Sequence, residues 1–531
     1  MEGARESLQR RAEDKSSAGL EVQSAAADKQ GRLVVVSNRV AKLRKATQTG
    51  GLAVALADAM RHREGLWLGW SGEIAAHAQT RRDTEGKLRT VGLPLTQEDY
   101  EGYYLGYGNN VLWPLCHLRL DLVKYRAADF AAYKRVNEGF ARALLAELAP
   151  GDRIWVHDYH LIPLAWELRR LGCTQRIGFF LHIPFPPADI FGSAPDAAWL
   201  TEALLHYDVI GVQTPSHLAN LTEYLRRHGG TQVGPDRVRL DGRTVQLGAF
   251  PIGIDVADFE QLAKQETEDV ARDRMRRAQL GRKQIIGVDR LDYSKGLPNR
   301  LRAFGHLLAQ HEELHQKVTY LQIAPPTREG LSAYAEIRAE VESLAGGING
   351  RFSDMNWQPV RFIERAISRR KLAALFRSSE VGFVAPLRDG MNLVAKEFVA
   401  AQDPADPGVL VLSRFAGAAE ELEEALLVNP LDTEAVAAAL HQALEMGLEE
   451  RRSRHCALYA RTLRQDCHAW LASFLAVLEG ADGASPAPLQ LPLRGGAAAP
   501  ATQTGAFRLA APPPAPVKRR PPTPGSGAWR T

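Results

Sequence analysis

Two doubly wound α/β domains are predicted by three features of the sequence. Short β-rich apolar runs alternate with helix-like segments along most of the chain, the pattern of parallel sheets covered on both faces. The runs form two series that meet near PIGIDVADF (251–259). The length of 531 residues, at roughly 100–200 residues per domain, suggests about two to four domains.

The first thirty residues are polar and lack a sustained apolar period, so they read as a disordered leader. LVVVS (33–37) is the first buried strand and ends in Asn38-Arg39, with Gly50-Gly51 preceding the helical LAVALADAM. RIWVHD (153–158), RIGFFLHI (176–183) and DVIGVQT (208–214) continue this series. The second contains QIIGVDR (284–290), YLQIAP (320–325), VGFVAP (381–386) and GVLVLS (408–413). From about Ser485 the chain becomes Pro/Ala/Gly-rich, and 485–531 is expected to be a disordered tail.

Composition removes several classes of function. The four cysteines include no C-x-x-C pair, which argues against a disulfide scaffold or a cysteine zinc site. The net charge is +4, but the tail holds six Arg/Lys and no acid and residues 1–30 hold five basic and six acidic residues, leaving residues 31–484 at −1. Excess positive charge in a tail is poor support for a nucleic-acid-binding domain. No run approaches the roughly 18–20 apolar residues of a membrane span, and residues 1–30 contain no apolar secretory core. A soluble cytoplasmic protein is expected.

His311-Glu312-Glu313-Leu314-His315 matches H-E-x-x-H, the spacing that turns two imidazoles to one helix face. Its place, after LRAFGHLLAQ and before a strand, reads as the outer end of a crossover helix, away from the strand ends where ligands bind. No G-x-G-x-x-G follows a candidate strand, and no P-loop pattern occurs. Dinucleotide-dependent and P-loop chemistry therefore lack their signatures.

The strand ends carry more chemistry. Arg39, with Gly50 and Gly51 ahead of a helix, suits an anion held by backbone N–H groups. In the second series, the loop from Asp289 to Gly296 carries Arg290 and Lys295, a pair able to neutralise a departing diphosphate. The block from Arg388 to Glu397 follows VGFVAP and opens a helix. Its N-terminal amides can hold phosphate, Asp389 can accept sugar hydroxyls, and Glu397 is placed to accept a vicinal diol. Arg328 follows another strand. Two arginines for one phosphate and an Arg/Lys pair for a second point to an enzyme joining two phosphorylated small molecules across a cleft.

VVVSNR, GGLAVAL, GLWLGWSG, NNVLWP, WVHDYHL, FFLHIPFP, FPIGID, DRLDYSKG, QIAPPTR, PLRDGMNLVAKEFVAAQDP and VLVLSRFAGAA resemble, in order and spacing, the trehalose-6-phosphate synthase family. The resemblance covers roughly residues 31–480. It implies the GT-B architecture, with two facing Rossmann-like domains and an interdomain active-site cleft. The N-terminal acceptor domain would span 31–255, completed by a C-terminal helix near 466–480, and the nucleotide-sugar domain 256–465. The implied activity is retaining transfer of glucose from UDP-glucose to glucose 6-phosphate, giving α,α-trehalose 6-phosphate and UDP.

By the same resemblance, Arg39, Tyr104, Trp113, Asp158 and Arg328 would bind the acceptor. Gly50, Gly51, Arg290, Lys295, Ile367, Asp389 and the run Leu393, Val394, Ala395, Lys396, Glu397 would bind the donor. His182 would lie beside the donor glucose and, with Arg290, Lys295 and Asp389, would be catalytic. The implied front-face route forms no covalent intermediate and calls for no cofactor or metal. A homo-oligomer is expected, with a separate phosphatase acting downstream. A transferase using glycerol 3-phosphate and a catalytically silent sugar-binding relative are the alternatives.

Overall fold

The computed structural model describes residues 31–480, apart from 41–55, 58–59, 61–63, 76–78, 266–269, 271–272, 274–276 and 278–279. The leader, the tail, Gly50 and Gly51 thus lie outside the described residues. Ten strands build the first sheet: β1 (Leu33–Arg39), β2 (Gly65–Ile74), β3 (Arg81–Glu85), β4 (Leu88–Leu95), β5 (Arg153–His157), β6 (Ile177–Phe180), β7 (Val209–Val212), β8 (Thr231–Gln232), β9 (Arg237–Leu240) and β10 (Arg243–Ala249). Six build the second: β11 (Lys283–Val288), β12 (Val318–Ile323), β13 (Val360–Ile363), β14 (Val381–Val384), β15 (Val409–Ser413) and β16 (Leu426–Val428). All eight apolar runs singled out in the sequence are strands, most of them buried along their whole length.

The second sheet is parallel throughout and runs β13-β12-β11-β14-β15-β16. Counted from its own first strand this is the order 3-2-1-4-5-6, so the chain reverses direction between β11 and β14. The first sheet runs β3-β4-β2-β1-β5-β6-β7-β10-β9-β8. Its chain order reverses between β1 and β5, which pair in parallel from Leu33↔Arg153 to Ser37↔His157. Each reversal opens a crevice beyond the strand carboxyl ends. Arg39 and Asp158 stand at the first crevice, and Arg290, Lys295 and Asp389 at the second.

The expectation of purely parallel sheets is corrected at the edges of the first. β3 pairs antiparallel with β4, and β9 with both β8 and β10. β3 is RRDTE, exposed at every residue, as suits a charged edge strand. β9 and β10 turn through Asp241 and Gly242, both at positive φ (50° and 75°), the conformation that an Asp-Gly hairpin requires.

The last described helix, Cys467–Leu478, packs beneath the first sheet. Trp470 and Phe474 lie 4.7 and 4.6 Å from the Trp155 ring of β5. A Cβ on Gly178 of β6 would stand 2.7 Å from Phe474, so this strand needs glycine for the helix to approach. The Cys467 N–H donates to the carbonyl of Ile254 (3.2 Å), so the segment leaving the first sheet and the helix returning to it touch.

The H-E-x-x-H segment is not the end of a helix. The helix Leu297–Gln310 stops before it, and Glu312–Leu314 is a single tight turn. His315 bonds the Leu308 carbonyl (2.8 Å), whereas His311 stacks on His441 at 3.8 Å. The two imidazoles therefore face different partners. With Glu313, His311 and His441 form a partly exposed cluster remote in the fold from the strand carboxyl ends.

Candidate functional site

The acceptor candidates gather around a wide-turned helix, Tyr100–Leu112, and the short Trp113–Cys116 helix after it. Tyr104 stacks on Tyr100 (5.5 Å) and on His160 (5.6 Å), continuing a layer of rings that begins at Trp70. Arg39 is exposed at the end of β1 with its guanidinium 5.4 Å from the Trp70 ring. Trp113 is buried, and its indole Nε1 has no hydrogen-bond partner among the described residues. Two cations of the other half of the chain reach its ring: Arg328 at 3.9 Å and Arg290 at 5.6 Å.

Arg328 is held from several sides. It donates to Asp292 (2.8 Å), to the Tyr334 hydroxyl (2.5 Å) and to the Tyr159 hydroxyl (3.2 Å). Burial alone would raise the Asp292 carboxyl, but Arg328 and Arg290 outweigh it and hold the group down at about 2. Asp158 is the contrasting case. Burial pushes its carboxyl up to about 6, against the N–H groups of Tyr159 and His182 and the charges of Arg290 and Arg328.

Asp158, Arg328 and Asn392 all adopt positive φ (76°, 48° and 78°) without being glycine. Such backbone is costly and persists where surrounding contacts over-determine it. All three stand at carboxyl ends of strands, on both sides of the cleft.

Among the donor candidates, Lys295 is buried and ion-paired to Asp389, which also accepts from Asn392 (3.0 Å). Lys295 overcomes the desolvation of Asp389 and keeps its carboxyl below the usual range. The loop is fixed from beneath by Arg300, fully buried, which donates to Asp289 and to the Lys295 carbonyl (3.0 Å). Arg290, by contrast, is exposed and makes no ion pair among the described residues. The helix Leu393–Ala401 starts at Asn392 without a side-chain cap, so its first N–H groups are left for a ligand.

Within that run the side chains divide. Lys396 is fully buried and committed to Glu421 (2.9 Å) and to the Ile252 carbonyl (2.9 Å), so its ammonium is not left to a ligand. Ala395 is likewise buried in the core. Leu393, Val394 and Glu397 are partly exposed, and burial pushes the Glu397 carboxyl up to about 7 with Arg369 opposing it. Ile367 is partly buried, just ahead of the helix Arg369–Arg377.

His182 follows β6, and its backbone N–H donates to Asp158 (3.2 Å). Burial holds its imidazole down at about 3. Gly390 presses on it from the second half: a Cβ there would lie 1.9 Å from the His182 carbonyl oxygen.

The sequence profile of glycosyltransferase family 20 matches residues 25–480. The chain belongs to this family. It is therefore a glycosyltransferase, and its fold is that of solved family 20 enzymes. The trehalose-6-phosphate synthase of Sinorhizobium fredii is 47% identical over 451 residues, 84% of this chain and 97% of that protein. That of Klebsiella pneumoniae is 45% identical over 84% of this chain and 95% of its own. A Burkholderia xenovorans UDP-forming α,α-trehalose-phosphate synthase, crystallised with glucose 6-phosphate, superposes with a TM-score of 0.82 at 45% identity. It is covered completely, against 85% of this chain. An Escherichia coli relative bound to UDP-2-fluoro glucose gives 0.81 at 43% identity, covering 85% of this chain and 99% of its own.

For this family 20 chain, sequence reasoning missed Asp292, Tyr159, Tyr334 and Arg300, the residues that hold the site's cations. Asp292 stands inside DRLDYSKG and Tyr159 inside WVHDYHL, so both were in view without a role. Tyr334 and Arg300 lie inside helices, where nothing local marks them.

Proposed function

We propose that the chain moves glucose from UDP-glucose to glucose 6-phosphate with retention of configuration, releasing UDP and α,α-trehalose 6-phosphate. The observation that carries this reading is the Trp113 ring shared by Arg328 and Arg290. Cations assigned to the acceptor phosphate and to the donor diphosphate thereby meet at one aromatic surface. Tyr104, Trp113 and Asp158 would take the acceptor sugar and Arg39 with Arg328 its phosphate. Arg290, Lys295 and the open N–H groups of Leu393, Val394 and Ala395 would take the diphosphate, Glu397 the ribose diol, Ile367 the base, and Asp389 with His182 the donor glucose.

Mechanistically, Asp292 and Asp389 are tied to cations and Asp158 to a backbone N–H. Asp292 and Asp389, committed to cations, leave no free nucleophile beside Asp158 among the described residues for a two-carboxylate route. Arg290 and Lys295 instead stabilise the departing diphosphate, whose oxygen accepts the proton of the incoming hydroxyl on the same face. The protein contributes positioning and charge stabilisation. The reading also places the enzyme in the cytoplasm as a homo-oligomer and leaves its phosphorylated product to a separate phosphatase. No helix among the described residues is long and apolar enough to cross a membrane.

The test is product analysis by mass spectrometry and NMR, with UDP-, ADP- and GDP-glucose against a panel of phosphorylated acceptors in a chelator. The expected product is a non-reducing α,α-linked disaccharide phosphate from glucose 6-phosphate. A preference for glycerol 3-phosphate, an inverted linkage or no turnover overturns the proposal.

A further inference from the structure

His182 stands inside a buried hydrogen-bonded line, between Gln213 and His157, that the transfer chemistry leaves unexplained. Its Nδ1 is 3.3 Å from Nε2 of Gln213, and its Nε2 is 3.0 Å from Nδ1 of His157. The Gln213 carboxamide oxygen in turn accepts the backbone N–H of Ile252 (3.1 Å). Gln213 and His157 are 1% and 0% exposed, so water does not replace these partners.

The line has one consistent assignment of protons. A backbone N–H only donates, so the group of Gln213 facing Ile252 is the oxygen, and the group facing His182 is the NH₂. An NH₂ group needs an acceptor, so Nδ1 of His182 carries a lone pair. A neutral imidazole then bears its proton on Nε2 and donates it to Nδ1 of His157. His157 keeps its own proton on Nε2, an atom with no polar partner among the described residues, beside the Trp155 ring at 4.4 Å.

We propose that Gln213 is a positioning residue that, with His157, locks His182 as the neutral Nε2–H tautomer during glucosyl transfer. This rests on the reading of His182 as a donor-side residue. Both ring nitrogens are occupied within the protein, so His182 offers the reaction neither a proton nor a lone pair. It acts through its fixed ring and its backbone carbonyl, which Gly390 abuts from the other half. A second proton would set Nδ1–H against the Gln213 NH₂, and burial already depresses protonation of both imidazoles. The incoming hydroxyl is thereby left with the departing diphosphate oxygen as its base.

Nitrogen NMR on the full chain carrying ¹⁵N-ring-labelled histidine reads the tautomer directly, the His182 signals being identified by their loss in His182→Asn. The expected spectrum has Nδ1 unprotonated and Nε2 protonated, with and without UDP. Gln213→Glu sets an acceptor against Nδ1. It is expected to draw the proton onto that nitrogen and to lower kcat by about 10- to 100-fold, with both KM values within about 3-fold. A wild-type His182 protonated at Nδ1, or a folded Gln213→Glu protein with unchanged kcat, overturns the proposal. The wild-type spectrum decides the tautomer whatever substrate the enzyme proves to use, so failure there is distinct from failure of the proposed reaction.

Discussion

Nη1 of Arg328 lies 2.8 Å from Oδ2 of Asp292, and the two side chains are 3% and 0% exposed. A cation proposed to grip a substrate phosphate is thus already half of a buried pair. Removing one partner of such a pair strands the other charge, at about 3–5 kcal/mol. Arg328→Ala is therefore expected to lower the melting temperature markedly as well as to abolish acceptor use. The matching double variant Arg328→Leu/Asp292→Leu is expected to recover part of the stability and none of the activity. Differential scanning calorimetry beside steady-state kinetics makes the comparison.

Arg39 is the opposite case, exposed and resting on Trp70. Losing one charge-assisted Arg–phosphate contact is expected to cost about 2–4 kcal/mol, or roughly 30- to 1000-fold in kcat/KM for glucose 6-phosphate. The melting temperature and UDP affinity of Arg39→Ala should stay near wild type. A normal acceptor KM and kcat in this variant would remove Arg39 from the phosphate site.

Asp158 sets a limit on the acid side. Its carboxyl is raised to about 6, so lowering the pH through that value converts an acceptor of sugar hydroxyls into a neutral acid. Acceptor kcat/KM is expected to fall as pH falls through about 6. The acceptor phosphate titrates nearby, so the diagnostic quantity is the ratio of wild type to Asp158→Asn at each pH. That ratio should decline on acidification; a flat ratio assigns the whole effect to the substrate.

Glu397 makes the same argument for the donor at a higher pH. Only the ionised carboxylate accepts from both hydroxyls of a diol, and burial raises it to about 7. UDP affinity by calorimetry is expected to weaken as pH falls below about 7. Glu397→Gln should bind more weakly above that pH, by about 1–2 kcal/mol, and keep only the dependence that the terminal phosphate of UDP itself carries.

The strands and the strand-end cations were legible because buried parallel strands are continuous apolar runs and because α/β folds put ligand residues after them. LVVVS led to Arg39 and QIIGVDR to Arg290 for that reason. What was hidden depends on contacts between distant segments. Gln213 ends the run DVIGVQT and looks like any polar residue after a strand; only Ile252 and His182 give it a task. The antiparallel edge is legible in RVRLDGRTVQLGA (237–249), where Asp-Gly separates two alternating runs. H-E-x-x-H, read in the sequence as the outer end of a crossover helix and not as a ligand site, differs only in lying past that helix, which ends at Gln310.

Gly390 gives a test of closure between the two halves. Its Cα stands where an added Cβ would fall 1.9 Å from the His182 carbonyl oxygen and 2.9 Å from the carbonyl carbon. Both are backbone atoms, which no rotamer change can move aside. Gly390→Ala must therefore hold the halves apart, by about 1 Å, where the proposed donor and acceptor sites meet. Misplacement of that size costs on the order of 100-fold in rate. The clash lies between the halves and leaves each sheet's own core intact, so the melting temperature should change little. UDP binding, proposed above to rest on the second half, should also persist. Stopped-flow or steady-state kcat beside calorimetry for UDP separates these effects. If Gly390→Ala keeps kcat within about 3-fold of wild type, this close approach is not required for transfer.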